Sequence, residues 1–148
     1  MFGDYASGAA PKGGWSVPPG QYGLIASYAD LFLAHGPAAI SWTALMPAQG
    51  DADQTPLLAN FFIVDVRSKA LFSAGHLAGA VNIPYVDLAK PWSLAVLPTD
   101  QPILVVCASG PMSAQGAAIL GMLGYNARFL LGGMAVPIAA GYTLVTGQ

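Results

Sequence analysis

A run of apolar residues that ends in the chain's only cysteine constrains the fold more than any other stretch of this sequence. Ile103–Val106 is continuously hydrophobic rather than alternating, and most of its residues are β-branched. Such a run is typical of a strand that is covered on both faces in a parallel sheet. From Ser113 to Leu123 the apolar residues take up the spacing of a helix. The sequence therefore predicts a strand, a short loop and a helix that meet at Cys107.

Other segments extend this pattern along the chain. Residues 61–66 predict a second buried strand, and shorter strands are predicted at 39–41, 80–83 and 127–131. Helices are predicted between and after them, at 41–45, 68–75, 113–123 and 134–140. Parallel strands need crossover helices on the faces of the sheet. The predicted fold class is therefore α/β, a doubly wound parallel sheet of about five strands with helices on both faces.

Cys107 stands where this architecture favours negative charge. Backbone N–H groups of the loop and of the helix N-terminus converge there, and Gly110 allows the loop to curl because glycine adopts positive φ. Such surroundings lower the pKa of a cysteine and make it a better nucleophile. The alternative is that Cys107 is a small buried hydrophobe, which is the usual state of a lone cysteine at a strand end.

Several motifs together resemble a known family. They are Asp65-Val66-Arg67, Ala74-Gly75-His76-Leu77-Ala78-Gly79-Ala80-Val81-Asn82-Ile83-Pro84, Cys107-Ala108-Ser109-Gly110, Leu123-Gly124-Tyr125 and Leu131-Gly132-Gly133. Their order and spacing resemble a single rhodanese domain from about Ile40 to the C-terminus. The resemblance implies a rhodanese-like α/β fold and a catalytic Cys107 that carries sulfane sulfur as a persulfide.

The resemblance also implies which residues form the site. The substrate-binding residues would be Ala108, Ser109, Gly110, Pro111, Met112, Ser113 and Arg67. Asp65 and His76 would be structural residues near the site. Active loops of the family usually carry an arginine where this chain has Met112. A thioether supplies neither the charge nor the donors of a guanidinium, so we expect anionic donors to bind more weakly here.

Two features beside the cysteine loop have alternative interpretations. Asp65 and Arg67 lie at the predicted carboxyl end of a strand, where open α/β sheets place their sites. They are also well placed for a structural ion pair, which we favour. His76 could act as a general acid or base, whereas the resemblance favours structural hydrogen bonding. Neither histidine has a second ligand at metal spacing, so no metal or other cofactor is expected.

Composition excludes several classes of function. Only 8% of the residues are charged, the net charge is −2, and the five basic residues are scattered, which argues against a nucleic-acid partner. One cysteine excludes an internal disulfide and a CxxC site. The longest apolar stretch, 22–46, is interrupted by Asp30, His35 and Pro37, so no membrane span is expected. No signal peptide is visible, which leaves a cytoplasmic protein or a mature exported, periplasmic form.

Residues 1–37 are interpreted separately from a rhodanese-like domain at 38–148. Glycine and proline are frequent up to residue 20, which predicts an extended arm, and Ser27 is predicted to cap a short helix that ends near Gly36-Pro37. We favour a disordered terminus for the arm. The alternative, which Trp15 and Tyr22 support because disordered segments are poor in aromatics, is that the arm docks on this domain or on a protein partner. Residues 47–56 predict a surface loop, and Trp92 is predicted to be a packing residue.

Two functions follow from these expectations. The first is a thiosulfate or persulfide sulfurtransferase that passes sulfur from Cys107 to a thiol or cyanide acceptor. The second is a non-catalytic module for interaction or assembly, which Met112, the low charge and the aromatic arm favour. A cysteine phosphatase or arsenate reductase is set aside because Met112 and Ser113 occupy the places where an oxyanion-binding arginine would be needed.

Overall fold

The computed structural model describes residues 20–35, 38–46 and 56–148. The predicted arm up to residue 19, the predicted helix end at 36–37 and the predicted surface loop at 47–55 lie outside these residues. The chain divides into two compact units, one ending at Pro37 and the other running from Ala38 to Gln148. Among the described residues, no helix combines the length and the hydropathy that crossing a membrane requires.

The first unit contains helix α1, Tyr22–Leu33. The prediction that Ser27 caps this helix is wrong, because the helix begins at Tyr22 with Gln21 at the N-cap position. Ser27 lies inside it, and its hydroxyl donates to the Leu24 carbonyl oxygen at 2.8 Å. Serine can lie inside a helix when its hydroxyl donates to a carbonyl oxygen of the preceding turn. The residue type alone therefore did not identify the first residue of α1.

The second unit is built on a single sheet. Its strands are β1 Ala39–Ile40, β2 Phe62–Asp65, β3 Val81–Asn82, β4 Ile103–Val106 and β5 Ala127–Leu130. All pairings are parallel, and the strand order is β1-β5-β4-β2-β3. The helices are α2 Trp42–Leu45, α3 Lys69–Ala74, α4 Pro91–Leu94, α5 Pro111–Met122 and α6 Ala135–Ala139, with short 3₁₀ turns at Leu57–Asn60 and Tyr85–Asp87. The predicted five-stranded α/β class is confirmed.

Strand β4 lies at the centre of the sheet and is buried along its whole length. Successive side chains of a strand point to opposite faces. Ile103 and Val105 accordingly belong to a core that includes Ala117 and Leu120 of α5. Leu104 and Val106 belong to a second core on the other face, which includes Trp42 and Leu45 of α2 and Met134 before α6. Because both faces are covered, the prediction of a doubly wound sheet is confirmed.

The strand order reverses between β2 and β4. After β2 the chain moves outward to the edge strand β3, and it then returns to the other side of β2 to form β4. Open α/β sheets bind their ligands where the strand order reverses in this way. Asp65 ends β2 and Cys107 follows β4, so these two residues lie on either side of that reversal.

Local sequence explains where the flanking helices begin. Ser41 and Ser68 are N-caps whose hydroxyl oxygens accept hydrogen bonds from Ala44 N at 3.2 Å and Leu71 N at 3.4 Å. Helix α5 begins at Pro111, ahead of the predicted Ser113, because proline suits the first helical position.

The prediction that Trp92 is a packing residue is wrong. Its side chain is 65% exposed, and the Lys90 ammonium lies 5.8 Å from the centroid of the indole ring. The core contacts of this segment come instead from Leu88 and Leu97, which are buried on either side of α4. A helix of four residues buries little surface of its own, so the neighbouring turns supply the packing.

Candidate active site at the Cys107 loop

Cys107 follows the last residue of β4 and begins the loop that leads to α5. The residue is 3% exposed, whereas Ala108 and Ser109, the next two residues, are exposed. Gly110 and Ser113 are buried. The structure therefore brings the predicted site residues 107–113 into one compact turn, with the sulfur on its inner side.

Three hydrogen bonds form a closed arrangement around the sulfur. The Gly110 N–H donates to Cys107 Sγ at 3.0 Å. The thiol donates to Ser113 Oγ at 3.2 Å, and the Ser113 hydroxyl donates to the Gly110 carbonyl oxygen at 2.9 Å. Because Ser113 is completely buried, its hydroxyl has no bulk water to compete for these contacts. The sulfur is thus held by a backbone donor and by a hydroxyl that is able to donate to it once it ionises.

These surroundings lower the pKa of the Cys107 thiol below its usual value. Burial acts in the opposite direction and is the largest single influence, since it disfavours the charged form. Hydrogen bonds from the Ser113 side chain and from the backbone of Ser113, Gly110 and Ser109 together outweigh it. The result is a thiol that ionises more readily than a free cysteine, as the sequence predicted from the loop and helix N-terminus.

Gly110 owes its place in the loop to its backbone conformation. It is the N-cap residue of α5, with φ of 117°, a region that residues with a Cβ rarely adopt. A Cβ built at this position would also lie 3.5 Å from the Gly132 nitrogen. The loop therefore passes close to the backbone that follows β5.

The turn Gly132-Gly133 supports the cysteine loop from this side. A Cβ at Gly133, where φ is 64°, would lie 2.6 Å from Ser109 N and 2.7 Å from the Ala108 carbonyl oxygen. Beyond the turn, Met134 N donates to the Cys107 carbonyl oxygen at 2.8 Å and Ala135 N to that of Ala108 at 3.2 Å. Sequence reasoning missed this role. The available signal was a glycine pair directly after a buried strand that ends at the same edge as β4.

Asp65 and Arg67 form the ion pair that the sequence favoured. Asp65 is fully buried, and its carboxylate accepts from Arg67 Nη2 at 2.6 Å and from Nε at 3.0 and 3.1 Å. The same Nη2 donates to the Gly75 carbonyl oxygen at 2.7 Å. The Arg67 side chain is only 9% exposed. Its guanidinium thus ties β2 to the end of α3, and its use in substrate binding stays a prediction.

Two polar residues hold the segment beyond α3. His76 is buried, its Nδ1 lies 2.8 Å from the Phe72 carbonyl oxygen, and its ring stacks on that of Phe72 with centroids 3.7 Å apart. Its backbone pairs with Val145 through two hydrogen bonds of 2.9 Å. Asn82, which sequence reasoning missed, donates through its amide to the carbonyl oxygens of Asp65 at 3.0 Å and Arg67 at 2.9 Å.

The outer side of the loop is formed by Pro111 and Met112. Both are exposed, Met112 to 45% of its surface, and neither carries a charge. Among the described residues, no group of three or more histidine, cysteine or acidic side chains is arranged as a metal site.

Comparison with known proteins agrees with this geometry. Residues 46–136, more than half of the chain, match the model of the rhodanese-like domain, and the chain belongs to that family. It is 34% identical over 71 residues to the thiosulfate sulfurtransferase GlpE of Pseudomonas fluorescens, an alignment that covers 48% of this chain and 63% of that relative. It is 31% identical over 71 residues to the thiosulfate sulfurtransferase PspE of Escherichia coli, covering 48% of this chain and 68% of PspE.

Solved structures show the same fold. A rhodanese-related protein from Thermoplasma volcanium is similar with a TM-score of 0.56 and 32% identity, over 60% of this chain and 86% of that one. A Staphylococcus saprophyticus protein is similar with a TM-score of 0.52 and 30% identity, over 65% of this chain and 88% of that one. The chain spans somewhat less than two thirds of the length of GlpE.

Proposed function

We propose that this protein is a sulfurtransferase that carries sulfane sulfur on Cys107. The observation that carries the proposal is the arrangement at the sulfur, where Gly110 N donates at 3.0 Å and the pKa of the thiol is lowered despite burial. A structural cysteine needs no such donors, because a neutral thiol packs as a small hydrophobe. A nucleophile needs them, since the thiolate is the reactive form.

The reaction has two halves in this proposal. The Cys107 thiolate attacks the sulfane sulfur of a donor, a sulfur–sulfur bond forms, and the bond between that sulfur and the rest of the donor breaks with its electron pair. With thiosulfate the leaving group is sulfite, and with an organic persulfide it is a thiolate. The cysteine persulfide then gives its outer sulfur to a thiol or cyanide acceptor, which regenerates the Cys107 thiolate.

The loop supplies what both halves require. Negative charge rests on Cys107 before attack and, when thiosulfate is the donor, on the persulfide after it. Backbone N–H groups with fixed positions stabilise such charge without reorganising. The Gly132-Gly133 turn holds the loop backbone in place through its contacts with Ala108 and Ser109. The two curated relatives are named thiosulfate sulfurtransferases, which supports the same chemistry here.

A non-catalytic role is the second candidate. The observation that favours it is Met112, an exposed thioether on a loop whose side chains from Ala108 to Ser113 are all uncharged. In this alternative the rhodanese-like domain is an interaction or assembly module, with residues 1–37 as the segment that meets a protein partner. This alternative does not explain why the pKa of Cys107 is lowered.

Intact mass after incubation with sulfur donors separates the two candidates. Thiosulfate and an organic persulfide are each incubated with the reduced protein, and the excess donor is removed before measurement. Addition of one sulfur atom, reversed by cyanide with release of thiocyanate, is the expected result. A protein that gains no sulfur from either donor while its fold is intact would establish the non-catalytic module.

A further inference from the structure

The sulfur lies in a loop whose own side chains carry no charge. Ala108, Ser109, Pro111 and Met112 are exposed and uncharged, and the turn beyond β5 consists of glycine. At the end of β3, Asn82 is neutral and its amide is used by two backbone carbonyls. Among the described residues that form the loop and the adjacent ends of β3 and β5, no side chain offers a positive charge to a donor.

The cations that follow β2 do not fill this gap. Arg67 is paired with Asp65, a fully buried carboxylate at 2.6 Å, so the pair presents little net charge. Lys69 begins α3 and is exposed to solvent, where salt screens its field over about 10 Å. The positive potential that the described contacts supply at the sulfur therefore comes from backbone N–H groups such as that of Gly110 at 3.0 Å, and the field of such groups falls off within about one helical turn.

From this distribution we infer that the physiological donor is an organic persulfide with an uncharged, apolar substituent, and that Met112 is the residue that sets this preference. The inference rests on the proposed sulfurtransferase function. Cys107 as thiolate attacks the outer sulfur of R–S–SH, the new bond gives Cys107–S–SH, and R–S⁻ leaves with the electron pair of the broken bond. One negative charge is present throughout, and the proton stays on the transferred sulfur.

Thiosulfate makes a larger demand on the same site. Its two negative charges approach a thiolate, so three charges meet before sulfite leaves. Repulsion between like charges is strong at partly buried sites unless a cation offsets it. The exposed thioether of Met112 offers instead a polarisable apolar surface, which suits a hydrocarbon substituent beside the reacting sulfur.

A matched set of donors tests the preference. Benzyl persulfide, its 4-carboxybenzyl analogue and thiosulfate are each mixed with the reduced protein, and the second-order rate of sulfur gain on Cys107 is followed by quenched intact mass. Each rate is divided by that of the same donor with a free low-mass thiolate, which removes differences in intrinsic reactivity. We expect the normalised rate with benzyl persulfide to exceed that with thiosulfate at least tenfold, and the rate with benzyl persulfide to be independent of salt concentration. The carboxylated analogue should be a few-fold slower than benzyl persulfide.

Two variants on helix α5 test the assignment of Met112. Met112 and Ile119 are 45% and 44% exposed on this helix, so Met112→Arg and Ile119→Arg add the same charge to similar environments at different distances from the loop. Met112→Arg should raise the rate with thiosulfate roughly tenfold or more, as one charge-assisted hydrogen bond implies, and this gain should shrink with salt. Ile119→Arg should change it less than twofold.

The outcomes distinguish this inference from the function on which it rests. Normalised rates that are equal for thiosulfate and benzyl persulfide would overturn the inference while leaving the sulfurtransferase intact. So would a folded Met112→Arg protein whose rate with thiosulfate is unchanged, or equals that of Ile119→Arg. Failure of every donor to load Cys107 would instead overturn the proposed function.

Discussion

Two clusters at the carboxyl edge of the sheet, one around Asp65 and one around Cys107, stabilise negative charge in different ways. At the end of β2, the Asp65 carboxylate is fully buried and meets the Arg67 guanidinium at 2.6 Å. At the end of β4, the Cys107 sulfur meets one backbone N–H at 3.0 Å and the Ser113 hydroxyl at 3.2 Å. The first cluster balances a permanent charge with a full opposite charge. The second meets charge only with dipoles.

Under the proposed function, this difference separates a structural role for Asp65 from a chemical role for Cys107 at one edge of the sheet. A buried carboxylate without its cation would destabilise the fold, so Asp65 is paired with Arg67, whose guanidinium also donates to the Gly75 carbonyl oxygen. A nucleophile must change its charge and its covalent partners during a reaction. Dipoles stabilise the thiolate without forming an ion pair that would have to be broken at each turnover.

Cys107→Ser should have the largest effect, because it removes the only thiol of the chain. We expect sulfur loading from every donor to disappear, since an alcohol neither ionises near neutral pH nor forms a persulfide. The melting temperature should stay within a few degrees of the parent, because the two side chains are similar in size. Sulfur transfer retained by this variant would exclude Cys107 as the carrier.

Asp65→Asn should act on stability and should not remove the nucleophile. It leaves the Arg67 guanidinium with 9% exposure and no anionic partner, and breaking a buried pair in this way costs about 3 to 5 kcal/mol. Urea unfolding measures the loss. Asp100→Asn is the matched control, since Asp100 is exposed, and it should change the free energy of unfolding by less than about 0.5 kcal/mol. Equal effects of the two substitutions would contradict a structural role for the ion pair.

Gly133→Ala should affect both stability and reactivity, because the added methyl group meets the backbone of Ser109 and Ala108 at 2.6 to 2.7 Å. Backbone strain and overpacking together should cost about 2 to 4 kcal/mol. The control is Gly124→Ala, which shares positive φ but has no atom within 4 Å of the new Cβ. We expect Gly133→Ala to slow sulfur loading as well, whereas Gly124→Ala should only lower stability. Unfolding and loading rates measured on both proteins provide the comparison.

The buried strands were predictable because a strand that is covered on both faces requires a continuous run of apolar residues in the sequence. Strand β4 contacts a core on each face, so every position from Ile103 to Val106 must be apolar. The same reasoning located Asp65 and Cys107, since residues at or just after the last position of such strands lie at the carboxyl edge of the sheet. Fold class and the position of the loop therefore followed from hydrophobic patterning.

Features that depend on contacts between distant segments were not predictable in this way. Gly132-Gly133 supports the loop from the turn that follows β5, and a glycine pair there is recognised as the neighbour of residues 108–109 only when the pairing of β5 with β4 is known. Trp92 was predicted to be a packing residue, yet its side chain is exposed and Leu88 and Leu97 supply the core contacts of this segment. Ser27 was predicted to be a helix cap from its residue type, but serine is also found inside helices, and here its hydroxyl donates to the Leu24 carbonyl oxygen.

Ser113→Ala should have the smallest effect of these substitutions. It tests most directly whether a hydrogen-bonding dipole, without an ion pair, favours the Cys107 thiolate. Ser113 lowers the pKa of Cys107 through its side chain and its backbone, and the substitution removes only the side-chain hydrogen bond. We expect the pKa of the thiol to rise, since the Ser113 side-chain hydrogen bond is one of the interactions that lower it. Stability should fall by about 1 kcal/mol, because the Gly110 carbonyl oxygen also loses its donor.

The pH dependence of sulfur loading measures this shift. The thiolate is the reactive form, so the loading rate rises as pH increases through the pKa of Cys107 and then levels off. Because that pKa is lowered in the folded protein, the parent curve should level off below the pH typical of a free cysteine. The Ser113→Ala curve should move to higher pH, so that its rate near neutral pH falls several-fold while its rate at high pH approaches that of the parent. Ser109→Ala keeps the backbone donor of Ser109 and should leave the curve unmoved; a shift as large as that of Ser113→Ala would show that the buried hydroxyl is not what favours the thiolate.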